Sequence, residues 1–358
     1  MIKFGSGSYS VRETEGLNPQ TLTSPTFRTI ICTVFFLDDT ERSFEIDRYA
    51  KGHVLLDKVF EHLELVEKDY FGLQFMSFIE SSQTGIKKWL DPAKSIRKQM
   101  FCPPFRLYFR VKFYISDPSR LTEEYTRYHI FLQLRRDLLE NRLVCTENMA
   151  ALLSSYAVQS EFGDYNEEEM GTNYLNDYPM IASPSPSFIK NVIELHKLHK
   201  GQTPAVAEMN FLENAKTVDT YGVDLYVAKE SNDQTVEIGV SSAGVMLFRM
   251  GQRESLYPWS AIMKISFKKK LFSLYMRVIN ELNAEEDRIL TFTVYSPEGC
   301  KALWKSCIEH HIFFRLIAPP TVPPKSLFNL GTRYRYRLAL FTWFKQLLIF
   351  SIEFLSVY

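Results

Sequence analysis

Between residues 28 and 316 the spacing of apolar residues alternates repeatedly between strand and helix period, and few folds accommodate that order. In the first block, TIICTVFFL is β-branched and aromatic, LDDT turns, and ERSFEIDRY alternates, which predicts a hairpin. HVLLDKVFEHLEL then spaces Leu55, Leu56, Val59, Phe60 and Leu63 for one helical face. DYFGLQFM, KKWLD and FRLYFRVKFY return to strand character. A small sheet with one helix packed across it fits this order.

The second block is helical. EEYTRYHIFLQLRRDLLENRL carries a continuous apolar face, with Glu123 and Glu124 in its first turn complementing the helix dipole. TENMAALLSSYAVQSEF predicts a second helix capped by Thr146. FGDYNEEEMGTNYLNDYP lacks apolar periodicity and reads as a solvated loop. SFIKNVIELHKLHK predicts a third helix capped by Ser187, and TPAVAEMNFLENAK a fourth with Thr203 as cap and Pro204 in its first position. The third block is strand after strand: VDLYVAK, QTVEIGV, GVMLFRM, SLYPWSAI, MKISFKK, LFSLYMRVI and ILTFTVY. A single helix from Pro297 closes it, so a bent antiparallel sandwich plugged by a helix is expected.

The expected layout is a disordered polar leader (1–27), a sheet block (28–114), a helical block (115–221) and a second sheet block (222–316). A basic linker (317–337) and an apolar tail (338–358) follow. The leader has no secretory apolar run, and no stretch before the tail approaches the roughly 20 apolar residues of a membrane span. Five scattered cysteines argue for free thiols in a reducing compartment, so the body reads as cytoplasmic. Lys plus Arg and Asp plus Glu both number 42, so no global field draws nucleic acid, and any electrostatic function must be local.

DYFGLQF, KKWLDPAK, FRVKFY, TRYHIFLQLRRDLL, YAVQSEFGDY, GQTPAVAEMNFLENAK, YGVDLY and CKALWKSCIEHHIFFRL occur in an order that resembles the FERM domain of the band 4.1 superfamily. The resemblance spans about residues 28–316 and is nearer to band 4.1-like proteins and FERM-bearing non-receptor tyrosine phosphatases than to ezrin-type proteins. It implies an α+β multi-lobe architecture of three lobes: a ubiquitin-like lobe, a helical lobe like acyl-CoA-binding protein, and a PH/PTB-like lobe. GTRYRYR resembles the start of a FERM-adjacent motif, but LALF departs from it, which suggests an alternative ending or short form.

Catalytic motifs do not appear in the sequence. No Gly-rich phosphate loop, HExxH, GxSxG or paired CxxC occurs, and no His-Cys begins the phosphate-binding loop of a tyrosine phosphatase. The chain therefore reads as non-enzymatic and without a cofactor. Cys300, Cys307 and His311 share a helix face, yet they read as packing against the sheet rather than as a metal site, since a fourth ligand is missing. His196 and His199, flanked by lysines, read as a solvated helix edge, and Glu167, Glu168 and Glu169 lack the alternating ligands of a calcium loop.

Basic residues are more telling. Residues 255–280 contain no acid but hold Lys264, Lys268, Lys269, Lys270 and Arg277; residues 310–337 contain none but hold Arg333, Arg335 and Arg337. These are the candidate contacts to anionic inositol phospholipids, at about 1 kcal/mol per cation near a membrane surface. The resemblance also implies an extended peptide laid along a sheet edge beside the last helix. Met263, Ile265 and Phe267, facing Trp304 and His311, are the candidate groove.

The expected function is a non-catalytic adaptor joining cytoplasmic tails of membrane proteins and anionic phospholipids to cortical cytoskeletal proteins. The alternative is the targeting portion of a tyrosine phosphatase. Twelve of the residues from Leu338 to Tyr358 are Leu, Ile, Phe or Val, with Lys345 and Glu353 opposing insertion. That segment admits a disordered ending, an interfacial helix or an anchor, the last not favoured.

Overall fold

The computed structural model describes residues 28–77, 85–171, 173–279 and 285–317. The expectations for the leader, the basic linker and the apolar tail lie outside the described residues. The first lobe runs β1 (Thr29–Phe35), β2 (Glu41–Asp47), α1 (Gly52–His62), β3 (Phe71–Ser77), β4 (Ile86–Trp89), the short α2 (Ile96–Gln99) and β5 (Phe105–Val111). Its sheet has the order β2-β1-β5-β3-β4, with β1 and β5 parallel and the other pairs antiparallel. Alternation sets its inner face: Phe105, Leu107, Phe109 and Val111 are buried, while Arg106, Tyr108 and Arg110 turn the other way. Leu55, Leu56, Val59 and Phe60 of α1 are buried as the helical spacing predicts.

The helical lobe holds α3 (Glu124–Leu139), α4 (Glu147–Phe162), the one-turn α5 (Glu167–Met170), α6 (Pro186–Lys197) and α7 (Pro204–Ala215). Thr146 caps α4, its side chain accepting from the Met149 amide at 3.3 Å. Three expectations need correction. α6 is capped by Ser185, not Ser187, because Pro186 supplies the favoured first helical residue and Ser185 Oγ accepts from the Phe188 amide at 3.0 Å. The acidic loop contains α5, since Asn166 caps the Glu168 amide at 3.1 Å and the glutamates complement the dipole of that turn.

The third correction concerns the histidines. His196 is fully buried and His199 nearly so. His196 follows Phe188 and Val192 at helical spacing, so it shares their inward face while Lys197 turns to solvent. Its Nε2 donates to the Gly163 carbonyl at 2.8 Å, leaving Nδ1 to accept from the Tyr174 hydroxyl at 2.7 Å. His199 lies 2.8 Å from Ser155 Oγ and stacks on Tyr156. Flanking lysines obscured this period in the sequence.

The third lobe comprises β6 (Asp224–Lys229), β7 (Thr235–Val240), β8 (Gly244–Arg249), β9 (Gln252–Pro258), β10 (Ile262–Lys268), β11 (Leu271–Ile279), β12 (Glu285–Val294) and α8 (Pro297–Ile317). All its strand pairs are antiparallel, in the order β10-β11-β12-β6-β7-β8-β9. Gly222 enters this lobe at φ +59°, and a Cβ there would lie 2.4 Å from Tyr114 Cβ, so its close approach to Tyr114 requires glycine.

Three lobes share two cores. One runs unbroken from the first sheet into the helices, joined where His129 of α3 sits edge-on to Phe71 and Phe109. The other belongs to the third lobe and contains Cys300, Leu303 and Cys307 of α8. α8 also clamps the first lobe: Glu309 pairs with Lys112 at 3.1 Å, and Phe313 stacks on Phe113 with centroids 4.2 Å apart.

Candidate functional site at the edge of the third lobe

β10 ends the seven-stranded sheet, so one of its backbone edges has no strand beside it among the described residues. α8 flanks that edge. Ile265 and Phe267 pair with Leu274 and Phe272, two residues with no exposed surface, and so face the core side of the sheet. Trp304 of α8 donates its indole Nε1 to the Ile265 carbonyl at 3.1 Å and meets the Phe267 ring at 5.3 Å. Ile265, Phe267 and Trp304 are thus brought together, all half-buried.

The other two groove residues sit apart from that trio. A register shift between Ile262 and Lys264 turns Met263 outward, where it is 48% exposed. The His311 ring packs 5.6 Å from Trp259, whose indole donates to the Ser241 and Ser242 carbonyls. Cys300 and Cys307, by contrast, have no exposed surface and fill the seam between α8 and the sheet, where burial pushes the Cys307 thiol well up.

The basic candidates separate as well. Lys268, Lys269 and Lys270 form the exposed tip of the β10–β11 hairpin, with Lys269 at φ +55°, and none has an ion-pair partner among the described residues. Lys264 lies over the Tyr275 ring at 5.2 Å on the outer face of the same hairpin. Arg277 stands seven residues from the tip, roughly 23 Å along an extended strand. There it pairs with Asp287 of β12 at 3.2 Å, an acid that a linear count of neighbours does not reveal. Arg333, Arg335 and Arg337 lie outside the described residues. No helix among the described residues is long and apolar enough to cross a membrane.

Three family models match the chain: the FERM N-terminal domain over residues 34–102, the FERM central domain over 116–226 and the FERM C-terminal PH-like domain over 230–322. Tyrosine-protein phosphatase 1 of Caenorhabditis elegans is 46% identical over 94% of this chain and 32% of its own length. Human tyrosine-protein phosphatase non-receptor type 4 is 44% identical over 86% of the chain and 33% of its length. Human band 4.1-like protein 3 is 43% identical over 85% and 27% respectively. The chain therefore spans about a third or less of these curated relatives.

Among solved structures, the FERM and C-terminal domain complex of Drosophila Merlin matches with a TM-score of 0.69 at 23% identity, covering 80% of this chain and 96% of that one. The C-terminal MyTH4-FERM domain of human myosin 7b, solved with the harmonin-a PDZ3 domain, matches at 0.57 and 14% identity, covering 81% and 61%. The ubiquitin-like first lobe, helical middle lobe and PH-like third lobe are the FERM architecture, and this chain belongs to the FERM-bearing band 4.1 superfamily.

Proposed function

We propose that this chain is a non-catalytic adaptor that joins cytoplasmic tails of membrane proteins and anionic phospholipids to the cortical cytoskeleton, working peripherally at the plasma membrane. One observation carries the reading: among the described residues, the hairpin β10–β11 combines an open strand edge beside α8 with a tip of three lysines that have no ion-pair partner. An extended tail can add to the edge through backbone hydrogen bonds, with Ile265, Phe267 and Trp304 shaping the adjoining surface. The lysine tip supplies the local positive charge that an inositol phospholipid headgroup attracts, although the chain as a whole is neutral. Arg277 contributes less, being held by Asp287. The band 4.1 relatives and the myosin 7b structure, in which a FERM-containing domain holds a partner protein, support the adaptor role.

Vesicle sedimentation tests this reading. The full chain and a chain ending at Leu316 are both expected to sediment with phosphatidylserine vesicles, and more strongly when an inositol bisphosphate lipid is added. If neither binds at moderate salt, the lipid half of the reading falls.

The phosphatase relatives support a second reading, in which the same lobes target a catalytic domain carried by a longer form. Detection of a transcript that continues into a phosphatase domain would favour it.

A further inference from the structure

A cavity of about 380 Å³ lies where the three lobes meet, away from the β10–β11 hairpin, and its size is that of a small-molecule pocket. Its walls differ in charge. The first lobe contributes Lys87 and Arg110, the helical lobe contributes Asp137 and Arg142, and the third lobe contributes Asp224 and Glu237.

The helical wall is internally satisfied. Asp137 accepts from the Tyr114 hydroxyl at 3.0 Å, from Gln133 Nε2 at 2.9 Å and from Arg142 Nε at 2.9 Å. Arg142 also reaches Glu140 at 2.7 Å. Nothing similar serves the first-lobe wall. Arg110 donates to the carbonyl of its own neighbour Phe109 at 2.9 Å and lies over the Tyr108 ring, and neither it nor Lys87 has a carboxylate in ion-pair range among the described residues. Burial and the crowding of Arg136 and Arg142 bring the Arg110 guanidinium down to about 10. Burial and Arg142 likewise lower the Lys87 ammonium. Lys87 and Arg110 line one cavity from the two strands that flank β3, and the positive charge they share with Arg142 is a cost that an anion would offset.

We propose that this junction cavity binds a small phosphate monoester, with Lys87 and Arg110 holding the phosphate. A dianion neutralises both cations, whereas a single carboxylate leaves one uncompensated. An ammonium and a planar guanidinium together supply a point charge and a two-pronged donor, a pairing suited to phosphate oxygens. Glu237 on the third-lobe wall disfavours a second phosphate, so that wall meets the hydroxyl-bearing end of the ligand, while Asp224 is taken up by Ser306 Oγ at 3.3 Å. The phosphate can come from a soluble molecule or from a lipid headgroup, and the cavity's place between lobes favours the soluble source.

The test uses the full chain, with glycerol 3-phosphate as probe and glycerol as control, in calorimetry and thermal melts at low salt. Glycerol 3-phosphate is expected to bind and raise the melting temperature, and glycerol to do neither. Lys87→Gln with Arg110→Gln is expected to weaken binding at least tenfold while leaving the unliganded melting temperature unchanged or higher, since repulsion is removed. Lys268→Gln with Lys269→Gln is expected to bind the probe normally. Absence of any probe binding, equal binding by the Lys87/Arg110 variant, or a marked loss of its unliganded stability would overturn the site. Sedimentation with phosphatidic acid vesicles is expected to be unaffected by the Lys87/Arg110 pair; its loss, with the soluble probe inert, would overturn the soluble source.

Discussion

At the scale of single residues, His129 shows how much one side chain can hold. It is 8% exposed, it lies against Phe71 and Phe109, and its Nδ1 has no hydrogen-bond partner among the described residues. Burial drives its pKa down to about 4, against about 6.5 when unfolded. The unfolded chain therefore binds a proton that the folded chain refuses between those values. Stability from this residue is complete above about pH 6.5 and is lost as pH falls toward 4. At pH 5 the loss is about 2 kcal/mol by this linkage. Urea denaturation at pH 7 and pH 5 should show His129→Leu to be less pH-sensitive than the parent by that amount; equal slopes would remove His129 from the pH response. The alternating apolar strands around it were legible, but the meeting of a helical-lobe histidine with Phe71 and Phe109 was not, because nothing local records it.

At the scale of elements, periodicity was a reliable guide wherever an element has one wet face. The strand pairs and the four long helices of the middle lobe follow their apolar spacing. It misled where polar residues face inward, as with His196 on α6, and where a cap competes with a nearby serine, as with Ser185. α8 serves two surfaces at once: Trp304 faces the β10 edge, while Glu309 and Phe313 face the first lobe. Glu309 is 7% exposed, and although burial opposes ionisation, Lys112 and Lys305 hold its carboxyl below the ordinary range. Removing one partner of such a pair leaves a buried charge, so Lys112→Met is expected to cost about 3 kcal/mol, the lower end because Lys305 remains. Lys112→Met with Glu309→Leu should recover most of that in the same denaturation assay. If the double variant is no more stable than the single one, the pair is not what holds α8 to the first lobe.

At the scale of the whole molecule, the three-block pattern was legible but the number of cores was not. The first and helical lobes share one core and the third lobe has another. Ionic contacts such as Arg253 to Asp219 and Glu309 to Lys112 tie the third lobe to the rest. The candidate site was partly legible for the same reason: β10 and the acid-free lysine run stand out in the chain, whereas the capture of Arg277 by Asp287 appears only after β11 and β12 pair. In the proposed function the hairpin tip is the part that meets acidic lipid, and three lysines at about 1 kcal/mol each would give roughly a hundredfold of affinity. The direct measurement is vesicle sedimentation of the full chain carrying Lys268→Gln, Lys269→Gln and Lys270→Gln, with phosphatidylserine and inositol bisphosphate lipid. The expected result is a loss of ten- to a hundredfold in affinity with an unchanged thermal melt; undiminished binding by the folded variant would contradict the membrane role assigned to the hairpin.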